Sequence, residues 1–157
     1  MYKRPRPISY GMKVLKISIF IICLIALATL IFFSSYEEGP SYVKIGDKVV
    51  YVDIADTSAK MAKGLSGRQS LNGDQGMLFV FTKPDFYIFW MKDMLFPIDI
   101  VWIDENFMVV YVEQRVEPNT FSKTFTSKIK AFYVLELQAG FAEDNNLKVG
   151  DFIQFFK

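Results

Sequence analysis

The chain contains no histidine and a single cysteine, Cys23. Those two absences exclude Ser-His-Asp and Cys-His nucleophilic sites, a His or Cys zinc site, and any intramolecular disulfide. An excess of charge of one sign is missing as well. The 18 Lys+Arg stand against 17 Asp+Glu, and a net charge of +1 points to no particular partner. There is no internal repeat and no low-complexity segment. Gly64-Leu65-Ser66-Gly67 fits neither the P-loop nor the dinucleotide pattern, which argues against a nucleotide-dependent enzyme and calls for no cofactor.

What the chain has is apolar surface. Hydrophobic residues make up 52% and the mean hydropathy is +0.22, too apolar for a disordered polymer. Its 157 residues suit one domain better than two. Part of that apolar content is concentrated in one run. From Ile17 to Phe33 only Ser18 and Thr29 are polar, and with Val14 and Leu15 the stretch matches the ~20 residues that cross a bilayer of roughly 30 Å. Lys3, Arg4, Arg6, Lys13 and Lys16 precede or enter it, whereas the first charges after it are Glu37 and Glu38. This asymmetry predicts a cytoplasmic N-terminus over 1–13, a single-pass lipid-embedded anchor over 14–33, a tether over 34–41 and an extracytoplasmic domain over 42–157, periplasmic or extracellular. A cleaved signal peptide requires small residues at the end of the run, where Ile31-Phe32-Phe33 stand. Cys23 lies mid-run behind Ile21 and Ile22, a poor position for lipidation. A buried core helix would not carry a five-charge basic flank.

Residues 34–157 carry 13 basic and 17 acidic side chains, a net of −4, and no basic stripe. Nucleic acid is therefore the wrong class of partner. Short runs separated by turn signals predict strands over Val43–Ile45, Lys48–Ile54, Met77–Phe81, Phe86–Met91, Pro97–Ile103, Phe107–Val112, Phe132–Leu137 and Phe152–Phe156. Phe86–Met91, apolar on both faces, reads as a central strand. Residues 114–130 are polar and weakly patterned and read as a long loop. Helical spacing falls over Ser58–Leu65, capped by Asp56 or Thr57, and over Ala139–Asn145. The expectation is a β-dominated α+β domain: a compact, mostly antiparallel sheet or barrel-like fold with two short helices. The Phe and Met residues supply its core.

Four stretches carry a resemblance: Ala62-Lys63-Gly64-Leu65-Ser66-Gly67-Arg68 through Leu71; Gly76-Met77-Leu78-Phe79-Val80-Phe81; Phe89-Trp90-Met91-Lys92-Asp93-Met94-Leu95-Phe96-Pro97-Ile98-Asp99-Ile100; and Tyr133-Val134-Leu135-Glu136-Leu137-Gln138-Ala139-Gly140-Phe141 with Val149-Gly150-Asp151. Over about residues 48–153 they resemble the domain of unknown function 192 family. The resemblance implies a small β-rich domain, often exported or anchored by an N-terminal hydrophobic segment, with no general activity attached. The family usually has Asn-Thr after Trp-Met-Lys, where this chain has Asp93-Met94, so a polar ligand held by that amide and hydroxyl would be held differently here.

The candidate binding residues are Arg68, Trp90, Lys92, Asp93, Asp99 and Glu136. A guanidinium after the first helix clamps a carboxylate or phosphate, or pairs structurally with Glu136, whose carboxylate shares a strand face with Phe132 and Val134. Trp90 and Lys92 share a predicted strand face, with Asp93 beside them. Asp99 returns after the Met94-Leu95-Phe96-Pro97 turn, an arrangement that suits a sugar or a small zwitterion and equally a sheet edge with satisfied charges. Asp93, Asp99 and Asp104 lack Ca²⁺-loop spacing, so no metal is expected. Paired-carboxylate hydrolysis would need Asp99 and Glu136 about 5–9 Å apart across a cleft. The reading that these residues favour is a membrane-anchored binding or accessory module for a small polar ligand or an envelope protein. The alternatives are a carboxylate-dependent hydrolase or lyase, with Lys92 or Arg68 stabilising charge, and a structural envelope protein docking through the apolar residues at 94–97.

Overall fold

A computed structural model describes residues 10–34 and 39–157, with side chains at Leu15, at 18–29 and from 39 onward. Residues 1–9 of the expected basic terminus and 35–38 of the expected tether lie outside the described residues. The chain divides into two compact units, Met1–Gly39 and Pro40–Lys157.

The first unit holds one helix, α1 (Tyr10–Ser34). Thr29 donates its hydroxyl to the Ala26 carbonyl at 2.8 Å, so this polar side chain is satisfied within its own helix. Among the described residues no helix is long and apolar enough to cross a membrane. The continuous stretch of α1 with described side chains, residues 18–29, is itself shorter than a span.

The second unit is built on a seven-stranded sheet in the order β6-β5-β8-β3-β2-β1-β9. The strands are β1 (Tyr42–Ile45), β2 (Lys48–Ala55), β3 (Gln75–Asp85), β4 (Ile88–Trp90), β5 (Ile98–Ile103), β6 (Val109–Val116), β7 (Thr124–Thr126), β8 (Ala131–Gln138) and β9 (Ile153–Phe156). Pairing is antiparallel except between β2 and β3, which run parallel because α2 (Ser58–Lys63) carries the chain between them. The remaining helix, α3 (Phe141–Asp144), is one turn long. At one end the sheet curls until its two edges meet: Met108 bridges Phe152, and the Ile153 N–H donates to the Phe107 carbonyl at 2.9 Å. The fold is a β-dominated α+β half-barrel, and closure at that end removes exposed edge from β9 and β6.

Pleating divides the core between two faces. Met77, Phe79, Ile98, Ile100, Trp102 and Val134 pack in one cluster, while Leu78, Val101, Ile103, Leu135 and Leu137 pack in the other. All six residues of β5 are buried, which its two-sided apolar sequence demands everywhere except at Asp99. Each fully buried large side chain contributes roughly 1.5–3 kcal/mol.

Two expectations are corrected here. Phe86–Met91 is not a central strand. Only Ile88–Trp90 is extended, and it pairs with Thr124–Thr126 in a separate two-stranded ribbon, with Phe89 and Phe125 facing in and the residues on either side exposed. Residues 114–130 are accordingly not one long loop: they hold the end of β6, a short 3₁₀ turn at Pro118–Thr120 and β7. A three-residue strand that finds its partner more than 30 residues away leaves no local periodic signal.

Candidate functional site

The β4–β7 ribbon is held to the sheet by aromatic contacts. Phe89 packs edge-on to Phe79, centroids 4.8 Å apart, and to Trp102 at 5.9 Å. Trp102 is fully buried and donates its indole N–H to the Tyr87 carbonyl at 3.0 Å, so one side chain of β5 fixes the entry to β4. Facing the ribbon, α2 begins where Thr57 accepts the Lys60 N–H at 3.3 Å and ends at Gly64 with φ +49°, ψ −139°. Gly64 is required there. That backbone region is essentially closed to residues with a Cβ, and an added Cβ would stand 3.5 Å from the Phe79 ring and 3.9 Å from the Glu136 carboxyl.

Between α2 and β4 lies a cavity of about 270 Å³. Phe79, Phe81, Tyr87, Phe89 and Trp90 form much of its wall, with Met61 and Met94, and the Phe81 and Tyr87 rings stack. Lys63, Gly64 and Ser66 supply the α2 side. Glu136 is the carboxyl of the cavity. It is 5% exposed, and its Oε2 is buried without a hydrogen-bond partner. Burial pushes its pKa up to about 8, with the nearby Arg68 charge pulling the other way. At neutral pH this side chain is chiefly the uncharged acid, able to donate as well as accept.

The six sequence candidates separate. Trp90 and Glu136 line the cavity. Arg68 acts on Glu136 only through its charge. Its guanidinium is paired with Asp53 at 2.6 Å, which corrects the expected Arg68–Glu136 pair. Lys92 and Asp93 contribute backbone: the Lys92 carbonyl accepts from the Ser66 hydroxyl and the Asp93 carbonyl from the Gly67 N–H, both at 2.8 Å. These bonds tie the turn after α2 to the segment after β4 and brace the cavity mouth. Lys92 does not share a strand face with Trp90, because β4 ends at Trp90.

Asp99 lies elsewhere. Fully buried, it accepts from the backbone N–H of Arg115 (2.8 Å), Gly140 (3.1 Å) and Ala142 (2.8 Å), so it organises the start of α3 and the positive-φ turn at Arg115. Glu136 pairs across the sheet with Ile100, and Asp99 with Leu137. The two acids therefore point to opposite faces, and the paired-carboxylate arrangement fails. Among the described residues no group of three or more acidic or cysteine side chains converges as a metal site. Asp104 instead turns the β5–β6 hairpin by accepting from Asn106 and Met108 N–H.

Phe79, Phe81, Tyr87 and Phe89 read as core in the sequence. Their side chains are partly core, and the cavity wall they form rests on the ribbon pairing that the sequence did not disclose. One signal was present: each of the four stretches that carried the family resemblance supplies a part of this wall, through Lys63–Ser66, Phe79 and Phe81, Phe89, Trp90 and Met94, and Glu136.

Residues 41–155 match the model of that family, described as "Uncharacterized ACR". The chain belongs to the domain of unknown function 192 family. No curated protein matches it. Among solved structures it is similar to a protein of unknown function from Novosphingobium aromaticivorans DSM 12444, at 29% identity and TM-score 0.68, covering 73% of this chain and 83% of that one. It is also similar to a "putative transcription regulator" from Sinorhizobium meliloti 1021, at 23% identity and TM-score 0.68, covering 76% and 97%. The second likeness speaks for the shared fold alone. Asp93 and Met94 fall beside the cavity, where Met94 forms wall and the Asp93 carbonyl accepts from Gly67.

Proposed function

We propose that the protein is a single-pass membrane-anchored module whose extracytoplasmic domain binds a small molecule in the cavity beneath β4. One observation carries the binding reading: a residue that lines an aromatic-walled cavity has a buried carboxyl oxygen without a partner. Buried polar atoms are almost always paired, and one left open at a cavity is a place for a ligand to supply the partner. Apolar walls with few convergent polar groups are the usual composition of such sites. The anchor is supported by the apolar run at 14–33 and its one-sided basic flank.

A thermal-shift panel of sugars, amino acids, amines and divalent cations on the purified chain tests the binding reading, with Trp90→Ala beside it. A ligand at 100 times its Kd adds about 2.7 kcal/mol, worth a few degrees. The reading expects a shift that Trp90→Ala abolishes, and silence across the panel would favour a protein partner at exposed Leu95. Translation with membrane vesicles followed by alkaline extraction tests the anchor: the chain should stay with the pellet, and a variant with Leu24→Lys and Leu27→Lys should not.

A second reading has one observation in its favour. An acid with a pKa near neutrality suits general acid–base work, so a lyase or isomerase using Glu136 alone is the enzymatic alternative. A two-carboxylate hydrolase is not, since Asp99 faces away.

A further inference from the structure

The geometry points to a protonated amine as the cavity's ligand, its N–H donating to the Glu136 carboxyl and its carbon body lying among Phe79, Phe89 and Trp90. This inference rests on the cavity being a binding site and adds the class of molecule it takes.

Three features select the class. Oε2 is buried and lacks a partner, and in its carboxylate form it can only accept, so a ligand that stabilises that form must bring an N–H or O–H. Five aromatic rings in the wall offer π-faces that attract a cation, an attraction that strengthens when both partners are desolvated. A charged donor on a carboxylate also makes a bond roughly twice as strong as a neutral donor does. Competing counter-ions do not fill the role. The Arg68 guanidinium is engaged by Asp53 at 2.6 Å. Lys63 lies on the α2 wall with its ammonium beside Gly67, 3.5 Å from where a Cβ there would stand. The Tyr87 hydroxyl donates to the Lys83 carbonyl at 2.6 Å. The cross-strand neighbours of Glu136, Met77 on β3 and Ile100 on β5, bring no charge. The volume, about 270 Å³, suits a small amine with one apolar body.

The proton balance follows. With the cavity empty, Glu136 holds its proton at neutral pH. An incoming ammonium keeps its own proton and displaces that of the carboxyl into solvent, leaving an ion pair. Amine binding therefore releases close to one proton well below pH 8, about half of one at pH 8 and progressively less above it.

The test compares 2-phenylethylammonium, 2-phenylethanol and 3-phenylpropionate on the full chain in detergent micelles, against matched micelle blanks. Titration calorimetry at pH 6, 7, 8 and 9 in two buffers of different ionisation enthalpy reads both affinity and protons. The ammonium should bind at least tenfold tighter than the alcohol at pH 8. Its affinity should rise about tenfold per unit from pH 6 and level off above 8, with close to one proton released at pH 7. Glu136→Gln should remove at least tenfold of the ammonium affinity and leave alcohol binding within twofold, and it replaces a carboxyl by an amide of the same shape. Equal affinity for ammonium and alcohol, or no pH dependence, would overturn the amine while leaving the cavity a binding site, provided Trp90→Ala weakens the alcohol. Failure of all three probes would overturn the cavity reading together with the amine.

Discussion

Asp99 and Glu136 sit on adjacent strands of one sheet, offset by a single residue in register, and their carboxyl groups face opposite sides. The offset gives them opposite duties. Asp99 has three backbone donors and Glu136 has an oxygen with none.

Replacing Asp99 with alanine should therefore damage the fold and spare the cavity. Two buried N–H groups, of Gly140 and Ala142, and the half-buried one of Arg115 lose their acceptor, a change of roughly 2–5 kcal/mol. Urea unfolding monitored by tryptophan fluorescence should show that loss, and hydrogen exchange should locate it at Gly140–Ala142 first. A small effect, under about 1 kcal/mol, would mean that water substitutes for the carboxylate.

Glu136 makes stability depend on pH in a defined direction. Its folded-state pKa, about 8, lies above the 4.5 of an ordinary glutamate, so between those limits the folded chain binds more protons than the unfolded one. Stability is full below about pH 4.5 and falls as pH rises towards 8, by about 1.4 kcal/mol per unit at most. Urea midpoints measured at pH 5, 6, 7 and 8 should decline stepwise, and Glu136→Gln should flatten the series. A flat parent profile would contradict the buried, partnerless state of this carboxyl.

Arg68 separates charge from contact. Its ion pair with Asp53 is partly exposed, with side chains 39% and 62% accessible, so Arg68→Ala should change stability by no more than about 1 kcal/mol. The same substitution removes the cation that holds the Glu136 pKa down. Carbon-detected NMR titration of Glu136 should move to higher pH in the variant, and a move to lower pH would show that Arg68 is not the charge Glu136 senses.

These residues also show what a one-dimensional reading reaches. Alternation along Lys48–Ile54 and Phe132–Leu137 placed two strands within a residue or two of their observed limits, and the face shared by Glu136 and Val134 was legible from the same period of two. Asp99 was legible as an acid returning beside Trp90 and Lys92, either to bind a ligand or to satisfy charge at a sheet edge. Its duty was not, because its donors at Arg115, Gly140 and Ala142 are brought by elements remote in sequence. The cavity was hidden for the same reason. Phe89 and Trp90 look alike in sequence, and only the pairing of Ile88–Trp90 with Thr124–Thr126 turns one into the core and the other outward.

That difference yields the sharpest contrast between neighbours. Phe89 is 9% exposed and wedged between Phe79 and Trp102. Phe89→Ala should cost about 3–5 kcal/mol, as large-to-small changes among packed aromatic residues do. Trp90 is 50% exposed, and Trp90→Ala should cost under about 1 kcal/mol while removing cavity wall. Denaturation midpoints paired with the binding titration separate the two. Phe89→Ala loses the fold before it loses the ligand, and Trp90→Ala loses the ligand with the fold intact. If both variants unfolded alike, the ribbon would be a structural lid over the core and Trp90 no part of a binding surface. If neither changed binding, the ligand would have to enter by the α2 side, where Gly64→Ala, whose methyl points at the Phe79 ring and the Glu136 carboxyl, would be the substitution that blocks it.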